Sequence, residues 1–417
     1  MIPVAAVLVD ADLRVAGALD VRSTRIARLG APTVAAASRR LAIAGLRNAH
    51  VHLDLSLVRG VPRATRGFAA WVLDLLRCRG PFDPSFFQRG AEVGCREALA
   101  TGTVAVGDID ASGASSAVVA ASGLKGIAFR EILGSGKDEA TLLDLERWLD
   151  GFAEFAPGGR VLPGVSPHAP YSTSPGLYRG AARIARARAV ALTTHAAETL
   201  AEREFLEHGS GEFRDLLERL HAPSPRSASA PVERPLAYLE ELGVLNERSV
   251  LAHVNYPEDS DFERLARTRA TVAFCPRSHA FFGHPARGRH PIDRLLAAGV
   301  RVAIGTDSRA SNGSLNLFDE LAYLRASRPD LAPRALWRAV TQTGAAVLDG
   351  GSGRLDEGDA ADLVVIEFPF DVPGTAAECV DALTLGQGKV LATYVDGAIA
   401  YASPEADAAA LPLTEVS

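Results

Sequence analysis

Two histidines separated by one residue, His50 and His52, are the side chains in this sequence best suited to metal chemistry. They follow an apolar run, residues 41–46, that is typical of a strand. Side chains two apart on a strand point to the same face, so both imidazoles can reach one metal ion. Taken alone, the pair could equally be two ordinary surface or core histidines.

Three more polar residues follow strand-length apolar runs further along the chain: His195, His253 and Asp307. Any one of the five could be a satisfied polar residue of the core, but so many at strand ends are hard to explain structurally. Three imidazoles and a carboxylate suit a divalent ion such as zinc and leave a position for water. Iron and manganese accept the same donors, so the donor types leave the metal open.

Strand-length apolar runs alternate with helical patterns through the middle of the chain. After the strand before His50, the runs are residues 103–108, 126–133, 160–165, 189–194, 249–252, 271–274 and 300–305. Helical patterns include 140–155, 175–188, 262–267 and 315–325. Alternation implies parallel strands, and eight of them predict an α/β fold, a (β/α)8 TIM barrel. Such barrels carry their chemistry at the C-terminal strand ends, where the polar residues above lie.

Both termini read as short strands. The predicted strands are residues 6–9, 14–18, 25–29, 41–43, 361–366, 390–395 and 398–401, with a hairpin turn at Asp396-Gly397. We therefore expect a small β-sandwich domain from residues 1–44 and 350–417, and a catalytic barrel from residues 45–349. The Pro/Ser/Ala-rich segment 221–235 predicts either a mobile loop beside the barrel mouth or a plain surface connection.

The amino-acid composition of the chain limits the kinds of molecule that we expect the protein to bind. The formal net charge of −6 argues against nonspecific nucleic-acid binding. No uncharged run approaches the roughly 18 residues that span a bilayer. The four cysteines lack C-x-x-C spacing, as in reduced cytosolic enzymes. We expect a cytoplasmic enzyme with a small-molecule substrate, and neither nucleic acid nor membrane as a partner.

Several motifs together resemble the amidohydrolase superfamily over nearly the whole chain. They are similar to the branch of that superfamily that holds chlorotriazine hydrolases and the guanine, S-adenosylhomocysteine and aminodeoxyfutalosine deaminases. The motifs are residues 48–52, His195-x-x-Glu198, residues 167–172, residues 275–278 and residues 305–308. The resemblance implies one divalent metal, zinc first, held by His50, His52, His195 and Asp307. It places His253 against the metal-bound water and Glu198 as a proton shuttle, and it is compatible with a homodimer.

Metal count can be argued separately. Binuclear relatives bridge two metals with a carboxylated lysine at the end of strand 4. Here that strand ends in Val165-Ser166-Pro167-His168, with no lysine nearby. The sequence therefore favours one metal ion.

The implied chemistry is hydrolytic deamination of an aminopurine nucleoside-type substrate. A metal lowers the pKa of coordinated water toward about 7, which makes hydroxide available at neutral pH. Asp307 would accept the water's proton, His253 would orient the hydroxide, and Glu198 would protonate a ring nitrogen and then the leaving amine. Glu198 would sit one helical turn past His195; its alternative reading is a helix N-terminal carboxylate favoured by the dipole.

Six further residues are predicted substrate contacts: His168, Arg130, Glu131, Arg277, His279 and Ser308. Arg130 and Glu131 could bind a sugar hydroxyl or carboxylate. His168 could instead be a buried strand-end histidine, and Ser308 a turn cap. His279 stands where the family commonly has asparagine, which leaves the substrate open. His284 and His290, in a Gly/Pro-rich loop, are expected to be solvated.

Two alternatives stay open. One is a hydrolase of the same fold with another leaving group, acting on a chlorotriazine, guanine or an amide. The other is a non-catalytic metal-binding protein. Glu198, which a structural metal site does not require, argues against the second.

Overall fold

The computed structural model describes residues 2–9, 13–14, 18–30, 39–58, 67–80, 82–225 and 234–406. Eight strands form one sheet in which each pairs in parallel with the next along the chain. They are β1 (Leu46–Val51), β2 (Thr103–Asp110), β3 (Lys125–Ile132), β4 (Val161–Pro167), β5 (Ala191–Ala196), β6 (Ser249–His253), β7 (Thr271–Phe274) and β8 (Arg301–Ile304).

Contacts between the first and last strands close this sheet into a barrel. Val51 bridges Asp307 in parallel, and the amides of Thr306 and Asp307 both donate to the carbonyl of His50, at 3.1 and 3.0 Å. The Asn48 side chain adds two buried bonds, donating to Thr306 Oγ1 at 2.7 Å and accepting from Thr306 N at 3.1 Å. The predicted (β/α)8 barrel is confirmed, and its closure lies beside His50.

Helices surround the barrel. Those described are α1 (Phe68–Arg79), α2 (Pro84–Ala100), α3 (Ser115–Ala121), α4 (Asp138–Phe155), α5 (Pro175–Arg188), α6 (Leu200–His208), α7 (Glu212–Arg219), α8 (Pro235–Glu241), α9 (Asp259–Thr268), α10 (Pro276–Phe281), α11 (Ile292–Ala297), α12 (Leu317–Ser327), α13 (Pro333–Val340), α14 (Gln342–Leu348) and α15 (Ala376–Thr384). Short 3₁₀ turns cover Leu53–Leu55 and His284–Arg287. Within the described residues, no helix combines the length and apolar character that crossing a bilayer requires.

The two ends of the chain pair into two further sheets. One has the order Ala398–Ala402, Lys389–Val395, Leu363–Glu367, Arg40–Ala44, Ala6–Leu8 and Leu13–Arg14; the other has Ile2–Pro3, Ala18–Arg22 and Arg25–Gly30. Val7, Ile26 and Val365 share one buried cluster across both sheets. The small β domain built from both termini is therefore confirmed, while its boundaries at residues 44 and 350 stay a prediction.

Two sequence expectations need adjustment, and a third falls largely outside the described chain. The apolar run before His50 is split at Gly45: residues 40–44 join the terminal sheet and residues 46–51 begin the barrel. The predicted strand 14–18 corresponds to two separate strands, ending at Arg14 and beginning at Ala18, with residues 15–17 outside the described part. Most of the 221–235 segment, residues 226–233, also lies outside it.

Candidate metal centre and active site

The predicted metal ligands meet at the C-terminal mouth of the barrel. His50 lies in β1 and His52 directly after it, His195 is the penultimate residue of β5, and Asp307 follows β8. His253 ends β6 in the same mouth, with its ring centroid 5.4 Å from that of His50. All five side chains are buried.

Backbone strain helps to aim these side chains. His253 and Asp307 adopt left-handed conformations with φ of 71° and 60°, and Ala197 does so with φ of 48°. Such conformations are costly for residues other than glycine, and they cluster at functional sites. Each turns the chain sharply just as it leaves the barrel.

The donor atoms converge as a metal site requires. The ligand nitrogens of His50, His52 and His195 all lie within 4.8 Å of one another. Asp307 Oδ1 is 3.9 Å from His50 Nε2 and 3.7 Å from His52 Nε2. Among the described residues, neither ring nitrogen of the buried His50 has a hydrogen-bond partner. Burying two unpaired ring nitrogens is costly, and a metal ion would satisfy one of them.

The protonation states of the three histidines also suit the binding of a cation. Burial, reinforced by the neighbouring imidazoles, holds the pKa of His50 well below its ordinary value. Burial lowers the pKa of His52 to about 3 and also lowers that of His195. Neutral imidazoles are the form that ligates metals. The residues present therefore fit one divalent ion.

Hydrogen bonds fix the orientation of two of these ligands. Ser278 and Ser311 donate to Asp307 Oδ2 at 2.6 and 2.7 Å, which leaves Oδ1 facing the histidines. His195 Nδ1 is 2.9 Å from the carbonyl of His168, so its Nε2 is the nitrogen free for a metal. Residues that hydrogen-bond to a metal ligand usually determine the orientation of that ligand and the affinity of the site for its metal.

A second donor set, Glu131, His168 and His195, also lies within 4.8 Å. It shares His195 with the first set. The first set fits an ion better, because Asp307 Oδ1 lies beside it and because both His50 nitrogens lack partners among the described residues. In the second set, His168 Nδ1 is already 2.5 Å from Ser172 Oγ.

Glu198 lies beside His253, with 3.6 Å between Glu198 Oε1 and His253 Nε2. The expectation that it sits on a helical turn is wrong: residues 197–199 are not helical, and α6 begins at Leu200. Glu202 holds this turn by accepting from the amides of Ala197 and Glu198, at 3.2 and 3.0 Å. Burial, followed by the charges of Asp307 and Glu202, raises the pKa of Glu198 well above its ordinary value.

A cavity of about 280 Å³ opens beside these groups. Of the predicted substrate contacts, His168, Glu131 and Ser308 line it, together with His52, His195, Glu198, His253 and Asp307. Arg130 is absent from that lining because neighbouring side chains on β3 point to opposite faces. The substrate roles of the lining residues stay predictions.

Two other predicted contacts lie away from the described lining. Arg277, in α10, places its side chain 3.5 Å from Asp319, and its amide donates to Glu320. His279 is buried instead against Phe274 and His284, with ring centroids 5.7 and 5.2 Å away.

The expectation that His284 and His290 are solvated is wrong. Both are buried, and His290 stacks on Phe274 with 3.6 Å between ring centroids. His290 Nε2 lies 3.0 Å from the carbonyl of His253, so it supports the strained end of β6. His284 Nδ1 pairs with the Tyr256 hydroxyl at 2.9 Å. These contacts depend on tertiary packing, which the loop composition did not reveal.

Sequence reasoning missed the residues that form the outer cavity. Trp71, Leu75 and Arg79 of α1 line it, with Tyr171 and Phe282 from elsewhere in the chain. A signal was available, since Trp71, Leu75 and Arg79 are four residues apart and share one helix face.

Comparison with known proteins agrees with this fold. The amidohydrolase family profile matches residues 41–400, so the chain belongs to the amidohydrolase family. A 5-methylthioadenosine/S-adenosylhomocysteine deaminase of Haloarcula marismortui is 33% identical over 355 residues, which cover 80% of this chain and 74% of that protein. An aminodeoxyfutalosine deaminase of Deinococcus radiodurans is 33% identical over 331 residues, covering 75% and 74%.

Among solved structures, an adenosine deaminase from Xanthomonas campestris with bound zinc superposes with a TM-score of 0.76. It is 22% identical, and the match covers 95% of this chain and 91% of that one. At this identity the likeness supports the barrel and terminal sheet architecture.

Proposed function

We propose that this protein is a metal-dependent hydrolytic deaminase of an aminopurine nucleoside. The single observation that carries the proposal is the meeting of Glu198 and His253 with the proposed ligands His52, His195 and Asp307 in one cavity. A metal site alone would need no carboxyl group beyond the ligands. The names of the two relatives that are 33% identical support the same substrate class.

One zinc ion, held by His50, His52, His195 and Asp307, is the proposed cofactor. When bound, it would act as a Lewis acid that makes a water molecule a stronger nucleophile at neutral pH. The zinc in the Xanthomonas campestris structure supports this choice over iron or manganese. Elemental analysis of the purified protein tests both the metal and its count, and two equivalents per chain would contradict the proposal.

The chain's own residues supply the proton transfers. Asp307 Oδ1, which faces His50 and His52, accepts the proton of the attacking water. His253 orients that water through Nε2. Glu198 delivers a proton to a ring nitrogen, takes back the proton of the hydroxyl group newly formed on the ring carbon, and passes it to the departing amine; the proton held by Asp307 then returns to Glu198. The position of Glu198 at the cavity wall suits these transfers. Burial of the whole set excludes bulk water.

Ammonia release across a panel of adenosine derivatives tests the reaction. The panel would include 5-methylthioadenosine, S-adenosylhomocysteine, aminodeoxyfutalosine and adenosine, with guanine, a chlorotriazine and an amide as competitors. Release from an adenine-type ring supports deamination. Chloride release, or cleavage of the amide alone, would favour a different leaving group and contradict the proposal.

We further propose that the enzyme is a homodimer, that it lies in the cytoplasm and that it does not bind nucleic acid. Light scattering of the eluted protein tests the assembly, because a dimer has twice the mass of the chain. Fractionation of the source cells tests the location, and a nucleic-acid shift assay at physiological salt tests the last point.

A further inference from the structure

The peptide group that joins His253 to Val254 lies between two left-handed residues. Their φ angles are 71° and 49°, a conformation that is unfavourable for residues with a Cβ and most of all for a β-branched valine. Both residues are buried where β6 ends. Contacts from the rest of the fold must therefore hold this turn, because the local chain alone disfavours it.

His290 holds the oxygen of that peptide group. Its Nε2 lies 3.0 Å from the carbonyl of His253, and a carbonyl only accepts hydrogen bonds, so Nε2 carries the proton. Burial lowers the pKa of His290 to about 3, so the ring is neutral and has a single N–H group. Its Nδ1 has no partner among the described residues. The one donor of this buried ring is thus directed at the strained peptide.

The His290 ring is itself held from two sides. It stacks on Phe274 of β7 with 3.6 Å between the ring centroids and 13° between the planes. Arg328, whose guanidinium pairs with Asp293 at 3.0 Å, donates to the carbonyl of His290 at 2.8 Å. A donor fixed in advance in this way loses little entropy when it bonds to His253.

The same loop contacts the turn at a second point. His284 Nδ1 lies 2.9 Å from the hydroxyl of Tyr256, in the turn that follows His253. Asn255, which lies between the two contacts, donates from Nδ2 to the carbonyl of Glu198 at 3.0 Å. The loop therefore holds the turn at both ends, and the turn also holds the backbone of Glu198.

The direction of the His253 imidazole depends on this turn. Rotation about the N–Cα bond of His253 moves its Cβ relative to β6, and φ is the angle that the left-handed conformation sets. In the observed conformation the ring centroid lies 5.4 Å from that of His50, and Nε2 lies 3.6 Å from Glu198 Oε1. A turn that relaxed to an ordinary φ would move the imidazole out of this arrangement.

We propose that His290 is a positioning residue: the hydrogen bond from its Nε2 to the carbonyl of His253 holds the turn that aims the His253 imidazole at the metal centre, beside Glu198. The inference rests on the proposed function, in which His253 orients the attacking water. His290 is absent from the described lining of the cavity, so it acts through His253.

Two substitutions separate the hydrogen bond from the packing. His290→Phe keeps a ring that can stack on Phe274 but removes the donor. His290→Gln keeps a donor, because its amide nitrogen extends about as far from the backbone as Nε2 of histidine. In His290→Phe we expect kcat to fall by about tenfold or more, with KM changed by less than about twofold, because a small misplacement of a reacting group acts on the chemical step. Zinc content should stay unchanged, and His290→Gln should recover part of kcat.

Hydrogen exchange tests the turn without an assay of activity. The amide of Val254 donates to the carbonyl of Ala196 at 3.0 Å, and that of Tyr256 to the carbonyl of Ala197 at 3.1 Å. Both amides should exchange faster in His290→Phe and more slowly again in His290→Gln. The amides of α5 should keep their wild-type rates in both variants.

His208→Phe is the matched control, because it makes the same change at an exposed histidine that ends α6. It should alter neither kcat nor exchange in the turn. If His290→Phe does not fold, His290→Asn replaces it, since the shorter amide ends near the position of Nδ1 and cannot reach the carbonyl of His253. Lower kcat and faster turn exchange in His290→Asn than in His290→Gln then support the proposal, and equal values overturn it.

Three results would overturn the inference. The first is wild-type kcat together with wild-type exchange in His290→Phe. The second is faster exchange in the turn with wild-type kcat, because the turn would then not matter for His253. The third is faster exchange throughout the barrel without recovery in His290→Gln, which would make His290 a packing residue.

Failure of the proposed function has a separate signature. If the wild-type protein releases no ammonia from the adenosine panel, the deaminase proposal fails. Exchange that rises in the turn of His290→Phe, but not in α5, then still supports the hold of His290 on His253. Unchanged exchange in the turn overturns it.

Discussion

Ser278 Oγ donates a hydrogen bond of 2.6 Å to Asp307 Oδ2, and this bond leaves Oδ1 of Asp307 facing the histidines. Ser278 comes from the turn of α10 that follows β7, so one barrel strand positions the ligand supplied by the next. The bond ties the orientation of a proposed metal ligand to a residue that is not itself a ligand.

Ser278→Ala should therefore weaken zinc binding. Asp307 would keep only the bond from Ser311, and its carboxylate would be free to rotate away from the histidines. We expect a loss of about 10- to 100-fold in metal affinity, as for other outer partners of ligands. Competition with a chelator of known affinity measures it.

Ser327→Ala is the control, since Ser327 is exposed and its hydroxyl donates to the carbonyl of Tyr323 in its own helix. It should leave zinc affinity unchanged. Wild-type affinity in a folded Ser278→Ala protein would show that the bond does not hold Asp307 in place.

Glu198→Gln should separate metal binding from turnover. Glutamine keeps the size of the side chain but cannot carry a proton between the ring nitrogen and the amine. We expect unchanged zinc content and a kcat reduced by at least about 100-fold. Exposed Glu139 gives the matched control, Glu139→Gln, which should keep full activity. Loss of zinc in parallel with activity would instead make Glu198 a structural residue.

Gly305→Ala should disturb the metal site through the backbone. An added Cβ would lie 2.7 Å from the carbonyl oxygen of His50 and 2.9 Å from its Cβ. Since Gly305 N also donates to Phe274 O at 2.8 Å, the strand cannot shift freely. We expect a destabilisation of about 1–3 kcal/mol and a weaker hold on zinc, measured by urea unfolding and chelator competition.

Gly151→Ala provides the contrast. Gly151 lies within α4, and, apart from the neighbouring backbone of that helix, no atom of the described residues stands within 4 Å of its added Cβ. That variant should gain about 0.5–1 kcal/mol, since alanine is the better helix former. Similar stability changes in the two variants would show that the approach to His50 is not what excludes a side chain at Gly305.

Local patterns were sufficient for the barrel and for the candidate polar residues at its mouth, whereas the family resemblance selected which of them are the proposed ligands. Strand–helix alternation predicted β1 to β8, and the rule that barrel chemistry lies at C-terminal strand ends placed His50, His195 and Asp307 together. Helix α5 has the bounds that its pattern predicted, because Ser174 caps its first turn and accepts from Leu177 N at 3.0 Å.

Features set by packing between distant segments were harder to predict. The burial of His290 depends on stacking against Phe274 of β7, which loop composition does not encode. Arg130 and Glu131 were both predicted to contact the substrate, although side chains of adjacent residues on a strand point to opposite faces and only one of the two can enter the barrel mouth.

Stability should depend on pH through Glu320, a buried carboxyl in α12. Burial raises its pKa to about 8 from an ordinary value near 4.5, although Arg277 N donates to it at 2.8 Å. The folded protein therefore keeps a proton that the unfolded chain releases between pH 4.5 and 8. This contribution is fully present below pH 4.5 and is lost as the pH rises through 8.

Glu320→Gln removes that proton linkage. Between pH 5 and 8 its free energy of unfolding should fall with pH less steeply than that of wild type, by up to about 1.4 kcal/mol per pH unit. Urea unfolding at each pH measures the slope. Glu139→Gln, on the exposed face of α4, should keep the wild-type slope. Parallel slopes in wild type and Glu320→Gln would mean that Glu320 is already ionised in the folded protein, with Asn312 Nδ2 and Arg277 N offsetting its burial.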